Sequence, residues 1–112
     1  MGARAPVSAM IANGFSSLLG AQLAALTDGL ARTVGVQRGV LVTYAAVGSP
    51  AYMSGLRDGD VIVRVADEPV RTVAELREQV QLAVNNGESS VELDCVRDKK
   101  PRKVSLRWSG SR

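Results

Sequence analysis

The alternation of apolar and polar residues along the chain predicts five strands. Two of them lie in LLGAQLAAL (18–26), a short apolar run, and in GVLVTYAAV (39–47), which has β-branched residues at 40, 42, 43 and 47. Valine or isoleucine fills four positions of the third strand (60–66), which we expect to be enclosed and central. SVELDCVRD and RKVSLRW then alternate around a basic turn and predict a hairpin.

Two short helices are predicted between the first three strands. In TDGLARTVGV, Thr27 is placed to cap roughly one helical turn that ends before Gly35. In SPAYMSGL, Ser49 can cap a second helix with Pro50 at its first position. Gly55 is placed to end this helix in the left-handed conformation.

The longest helix signal is TVAELREQVQLAV (72–84). Apolar residues follow helical spacing, and Thr72 with Glu75 forms a capping box at its start. Turns are predicted at Asp58-Gly59 and at Asp67-Glu68-Pro69, on either side of the third strand.

This order of elements predicts an α+β fold that is mostly β. We expect a partly open β-barrel or sandwich of five to six strands, covered by one long and one or two short helices. The length of 112 residues suits one such domain. We assign it to residues 17–108, with 1–16 as a linker or boundary segment and 109–112 as a disordered tail.

The charge pattern of the chain does not favour nucleic acid or an anionic membrane as a partner. The net charge is +3, and RDKKPRK (97–103) alone contributes +4 from five basic residues and one acidic residue. A solvated turn is favoured for this segment over a contact with nucleic acid or an anionic membrane. Aromatic residues make up only 4% of the chain, which argues against base stacking. No apolar run reaches the roughly 18 residues of a membrane span.

Candidate catalytic groups are scarce. Because the chain has no histidine, Ser-His-Asp and Cys-His arrangements and ordinary zinc sites are excluded within it. Asp58 and Asp60 are interpreted as turn residues that bond their own backbone rather than as an acid–base pair or a cation site. Cys95 alternates with apolar residues and Trp108 closes the hairpin face, so both are predicted to pack in the core. We therefore predict no enzymatic activity, metal or cofactor for this chain.

GVLVTYAAVGSPAYMSGLRDGDVIVRVADEPVRTVAELREQV (39–80) resembles the PDZ domain of bacterial HtrA-type serine proteases. The matching motifs are the strand GVLV, the helix GSPA…GL, GDVI, the turn before PV, and the helix AELREQV. With the flanking strands, the resemblance covers residues 17–108. It implies a PDZ fold and a module that captures peptide C-termini by adding them as a strand to a sheet edge.

The resemblance also implies site residues. LLGA (18–21) corresponds to the family's carboxylate-binding loop, with Leu18 where a tyrosine is usual and Ala21 where a larger residue is usual. Residues 22–24 correspond to the receiving edge, and the long helix supplies the pocket and its rim. The alternative for the apolar members is a place in the core. The implied peptide-binding residues are Leu18, Leu19, Gly20, Ala21, Gln22, Leu23, Val73, Leu76, Arg77 and Val80.

The implied function is a substrate-recognition or regulatory module of an extracytoplasmic or periplasmic HtrA-type protease. Its partners are peptide or protein C-termini and unfolded protein substrates, without nucleic acid or direct membrane insertion. One alternative is a structural or oligomerisation module, a weak homo-oligomer, whose groove is filled by residues 5–16 or by a neighbouring chain. Another alternative is the PDZ domain of a different processing protease.

Overall fold

The computed structural model describes residues 17–108, in which seven strands form one antiparallel sheet with three helices. The predicted linker (1–16) and tail (109–112) lie outside the described residues. No helix within the described part is long and apolar enough to cross a membrane. In chain order the elements are β1 Ser17–Leu18, β2 Ala21–Ala25, α1 Asp28–Val34, β3 Val40–Ala45, α2 Pro50–Ser54, β4 Val61–Val65, β5 Glu68–Pro69, α3 Val73–Asn85, β6 Ser90–Arg97 and β7 Lys100–Arg107.

The strand order in the sheet is β1-β2-β3-β4-β6-β7, and β5 pairs with β4. Strand β4 lies in the interior of this order, and its valines and isoleucine are buried at 61, 62 and 65, which confirms the predicted central strand. Strands β6 and β7 form the predicted hairpin over eight residues each. The α+β, mostly β fold is therefore confirmed. Five strands are of ordinary length, and β1 and β5 add two residues each.

The core lies between the sheet and the helices. It takes one face of every long strand, together with Ala51 of α2 and Leu76 and Val80 of α3. Trp108 packs against this core and donates its indole N–H to the Glu88 carbonyl at 3.0 Å, in agreement with its predicted role.

Each helix begins at its predicted cap. The hydroxyl oxygens of Thr27, Ser49 and Thr72 accept from backbone N–H groups three residues on. Helix α1 has seven residues, so the prediction of roughly one turn was wrong. The helix continues to Gly35 because no residue before this left-handed cap interrupts it.

One predicted turn lies one residue earlier than expected. Ala66 and Asp67 both have positive φ, of 50° and 70°, and join β4 to β5. Two such residues form the tight turn whose twist matches that of antiparallel strands. Glu68 and Pro69 are therefore paired with β4 rather than part of the turn. The basic hairpin turns in the same way at Asp98 and Lys99, and its basic residues from 100 to 103 belong to β7 and are exposed.

A buried carboxylate joins three elements at one end of the sheet. Asp60 is fully buried and accepts from Arg97 twice, at 2.6 Å from Nε and 2.7 Å from Nη2. It also accepts from the backbone N–H of Arg57, and Arg97 donates further to the Gly55 carbonyl at 2.9 Å. The hydrogen bond to Asp60 raises the pKa of Arg97.

The two aspartates of this turn differ in their partners. Asp60 bonds its own turn through Arg57, as predicted. For Asp58 the prediction was wrong, because its Oδ1 accepts from the N–H of Ala45, the last residue of β3, at 2.8 Å. The carboxylate satisfies a strand-end donor that the sheet leaves unpaired.

We expect Arg97→Met to lower the free energy of unfolding by about 3 kcal/mol, because it leaves the Asp60 carboxylate buried without its cation. The exposed fraction of the Arg97 side chain is 25%, which places the loss at the lower end for a broken buried pair. Urea unfolding measures it.

Lys103→Met is the matched control, because it removes an ion pair of similar length, 2.7 Å, to Asp94 on the exposed face of the hairpin. Its urea midpoint should move little. Equal midpoint shifts in the two variants would show that burial of Asp60 does not set the strength of its pair.

Cys95 is buried with 1% of its surface exposed, as predicted. Burial raises the pKa of its thiol to about 12, from an ordinary value of 9.0. Between these values the unfolded chain loses the thiol proton and the folded chain keeps it. Stability contributed by this group is therefore complete below pH 9 and is lost as pH rises toward 12.

We expect the stability advantage of the native chain over Cys95→Ala to fall by about 1.4 kcal/mol per pH unit above pH 9. Lysine and tyrosine titrations are common to both proteins and cancel in the difference. Urea unfolding at pH 8 and at about pH 10.5 tests this expectation. A difference that stays constant across this range would show that the thiol titrates equally in both states.

Candidate functional site

An open groove runs between β1 and helix α3. Its volume is about 810 Å³, within the range of small-ligand and peptide pockets. Apolar side chains supply most of its walls, and charged and amide groups of α3 stand at its rim. The lining residues are Leu18, Val73, Ala74, Arg77, Glu78, Val80 and Gln81.

Four of the ten predicted site residues meet in this groove: Leu18, Val73, Arg77 and Val80. Those on the helix follow the spacing i, i+4, i+7, which places them on one face. Three further residues of the helix line the groove and were not predicted: Ala74, Glu78 and Gln81. These residues repeat the same spacing one position later, so the signal for a wider groove face was present in the helix pattern.

Three other predicted residues belong to the core. Ala21 and Leu76 are fully buried and Leu23 is 3% exposed, and all three pack in the main cluster. Because alternate residues of β2 point to one face, Ala21 and Leu23 share an orientation. They lie beneath the groove and do not line it in this conformation.

The remaining predicted residues form the turn between β1 and β2 and the start of the edge. Leu19 and Gly20 are the two turn residues and have positive φ, of 52° and 93°. Their carbonyl oxygens point toward the α2 region: Leu19 accepts from the Ala51 N–H at 3.0 Å, and Gly20 accepts from the Ala46 N–H at 3.1 Å. Within residues 17–108 the N–H groups of Leu19 and Gly20 donate to no backbone acceptor. They are available to an external anion such as a carboxylate.

The turn is held tightly against the cap of α2. A Cβ on Gly20 would lie 2.2 Å from the Ser49 Cβ, so this position admits only glycine unless the cap moves. Ser49 is itself fixed, since its hydroxyl accepts from the Tyr52 N–H and donates to the Ala46 carbonyl at 2.6 Å. The position of the turn therefore depends on the start of α2.

The outer edge of β2 is partly occupied. Its inner edge pairs with β3, and on the outer edge Ser17 pairs with Gln22 and Leu18 with Ala21. From residue 23 to residue 25 no described strand lies on that edge. The predicted receiving edge, residues 22–24, thus begins beside β1 and continues into an open stretch.

The candidate site combines backbone hydrogen-bonding groups with apolar surface. Among the described residues, no group of three or more aspartate, glutamate, cysteine or histidine side chains could hold a metal ion. Within residues 17–108, an open strand edge, turn N–H groups without backbone acceptors and an apolar groove occur side by side. Such an arrangement suits an extended chain that ends at the turn.

Together the sheet and its helices define a small α+β domain with an open strand edge beside its longest helix. A family model described as PDZ domain matches residues 17–107. The chain belongs to the PDZ domain family, and its similarity to the PDZ domains of HtrA-type proteases agrees with the resemblance seen in the sequence. A PDZ domain is not itself catalytic.

Two relatives illustrate the context in which similar chains occur. The magnetosome formation protease MamE of Paramagnetospirillum magneticum strain AMB-1 is 34% identical over 107 residues, which are 94% of this chain and 14% of that protein. The periplasmic serine endoprotease DegP of Salmonella typhimurium strain LT2 is 36% identical over 66 residues, 53% of this chain and 14% of that protein. The chain thus corresponds to about one seventh of either protein's length.

Two solved structures are similar in fold. The HtrA3 PDZ domain bound to a phage-derived ligand, FGRWV, is 30% identical with a TM-score of 0.66, covering 80% of this chain and 82% of that one. The HtrA-type protease AlgW, solved with a decapeptide, has a TM-score of 0.64 at 22% identity and covers 90% of this chain and 31% of that one. At 22% identity, the similarity to AlgW shows the fold alone.

We expect Gly20→Ala to destabilise the protein more than Gly59→Ala, by about 1–3 kcal/mol, because of overpacking against the α2 cap. The two glycines have nearly equal φ, 93° and 92°, so the backbone strain is matched. A Cβ at Gly59 meets nothing within 4 Å, whereas one at Gly20 meets Ser49. Urea unfolding measures the difference, and equal losses would mean that the cap yields freely.

Proposed function

We propose that this chain binds peptides that end in a free carboxylate and an apolar residue. The peptide adds to the outer edge of β2 as an antiparallel strand, and its carboxylate accepts from the turn N–H groups. The observation that carries this proposal is the orientation of the Leu19-Gly20 turn, whose carbonyls are bonded toward α2 while its N–H groups lack acceptors within residues 17–108. The HtrA3 PDZ domain structure, described with a bound ligand, supports the same use of the fold.

The pocket for the terminal side chain lies in the groove beside this turn. Val80 supplies an apolar wall, with the buried Ala21, Leu23 and Leu76 as the layer beneath, and Leu18 lines the groove in the peptide-free structure. An apolar terminal side chain gains most there, because its burial removes apolar area from water. Val73 and Arg77 then contact residues that precede the terminus, and Gln22 begins the receiving edge.

In its parent protein the module acts as a substrate-recognition or regulatory domain of an HtrA-type serine protease. Support comes from relatives named as serine endoproteases, of which this chain corresponds to a small part. The proposed parent acts outside the cytoplasm, in protein quality control, with exposed C-termini and unfolded proteins as partners. Relatives named as periplasmic support this part of the proposal. Binding shifts the protease only as far as the peptide differs in affinity for its active and inactive states.

We expect the peptide FGRWV with a free C-terminus to bind with a micromolar dissociation constant, which corresponds to a binding free energy of about −8 kcal/mol. The same peptide with an amidated C-terminus should bind at least about tenfold more weakly, since the amide forfeits charge-assisted hydrogen bonds to the turn. Fluorescence anisotropy with a label at the peptide N-terminus measures both. Equal affinities for the acid and the amide would overturn the carboxylate assignment.

Two matched variants locate the binding site on α3. Val80→Phe fills the groove and should weaken binding of the free-acid peptide, whereas Leu82→Phe enlarges a residue outside the groove lining. Leu82 is 50% exposed, so its replacement should leave affinity unchanged. Loss of binding in both variants, with folding intact by circular dichroism, would place the site elsewhere.

A further inference from the structure

Strand β1 occupies the place where the last residues of the proposed ligand would lie. It runs antiparallel to β2 and enters the Leu19-Gly20 turn at its C-terminal end. A bound peptide would have the same direction and would also reach the turn with its C-terminal end. The chain's own Ser17 and Leu18 thus imitate the final residues of a ligand.

The competition concerns specific backbone groups. Because the loop between β1 and β2 has two residues, the pair that closes it, Leu18 with Ala21, is of the hydrogen-bonded type. The backbone polar groups of Ala21 therefore face β1. Backbone groups alternate along a strand, so those of Leu23 face the same outer edge and have no described strand beside them. A peptide that ends at the turn needs the Ala21 groups as well as those of Leu23.

The side chain of Leu18 competes for the apolar space. It is partly buried, packs against the core cluster and lines the groove beside Val80. A terminal side chain of the ligand would seek the same contacts. The backbone and the Leu18 side chain of β1 therefore both occupy positions that the ligand would take.

We infer that β1 is an intramolecular competitor, so that a peptide binds fully only after Ser17 and Leu18 leave the edge of β2. This inference rests on the proposed peptide-binding function. Within residues 17–108, β1 contributes one hydrogen-bonded pair to β2, and a single backbone pair contributes little enough that a ligand can displace it. The apparent affinity for the peptide equals the intrinsic affinity multiplied by the fraction of molecules in which β1 is unpaired. Any partner that holds β1 away from β2 therefore raises the apparent affinity.

A reversible disulfide between β1 and β2 tests this competition. Ser17 and Gln22 form the next pair after the closing pair, which is of the non-hydrogen-bonded type. Its Cα atoms are about 4.5 Å apart, a separation that a disulfide spans. The variant Ser17→Cys/Gln22→Cys is titrated with labelled free-acid FGRWV in its oxidised form and after reduction. Oxidation should weaken binding by at least about tenfold, and reduction should restore it.

A second disulfide controls for rigidity. Glu92 and Ser105 are exposed, lie opposite one another in the β6–β7 hairpin and also form a non-hydrogen-bonded pair. Oxidation of Glu92→Cys/Ser105→Cys should leave the affinity unchanged. Loss of binding in this control as well would attribute the effect to oxidation and overturn the inference.

The remaining outcomes separate this inference from the proposed function. Equal binding by the oxidised and reduced β1 variant means that β1 does not compete, while the peptide-binding function stands. If the native chain binds neither the free acid nor the amide, the proposed function fails and the inference fails with it. If the reduced variant binds and the oxidised variant does not, both are supported.

Discussion

The buried pair of Asp60 and Arg97 constrains the arrangement of the whole domain. Removal of a carboxylate from water is tolerated only where its lone pairs find donors, and Asp60 receives three hydrogen bonds. These donors come from the turn before β4 and from the last residue of β6. Arg97 also binds the carbonyl of Gly55 at the end of α2. One ion pair therefore fixes a helix end and two strand ends relative to each other.

The position of α2 in turn determines the geometry of the candidate site. At the start of α2, the Ala51 N–H holds the carbonyl of Leu19, and the cap residue Ser49 fills the space next to Gly20. The preceding loop holds the Gly20 carbonyl through Ala46. With both carbonyls bound in this direction, the turn N–H groups are left without backbone acceptors in the described part of the chain. A polar interaction at one end of the domain is thus connected, through a short helix, to the orientation of the turn.

Local physics explains which features the sequence could predict. Strand alternation, helix spacing and the caps at Thr27, Ser49 and Thr72 depend on neighbouring residues, and they were recognised. The two-residue strands β1 and β5 are too short to show a period, and β5 falls where the sequence suggests a turn. Long-range contacts were equally hidden, such as the bond from Ala45 to Asp58 thirteen residues away. The positive φ of Leu19 also had no local signal, since a hairpin of this type usually has glycine or asparagine there.

The candidate site was partly predictable for the same reason. The sequence pattern identified one face of α3, but the width of the groove depends on how far the helix stands from β1 and β2, which no local pattern encodes. Val73 and Arg77 meet the groove, whereas Leu76 turns fully into the core. One face of α3 therefore contributes some residues to the core and others to the groove. The distance of each residue from the sheet decides between the two.

This division determines where ligand preference can change without loss of the fold. Val80 belongs both to the core cluster and to the groove, so a change in its volume affects stability and the pocket together. Ala74 and Glu78 line the groove but are exposed and lie outside the core. Substitutions at exposed positions usually alter stability by less than about 0.5 kcal/mol. Under the proposed function, selectivity for residues before the peptide terminus can therefore vary at these two positions, while the pocket for the terminal side chain remains tied to the packing of α3 on the sheet.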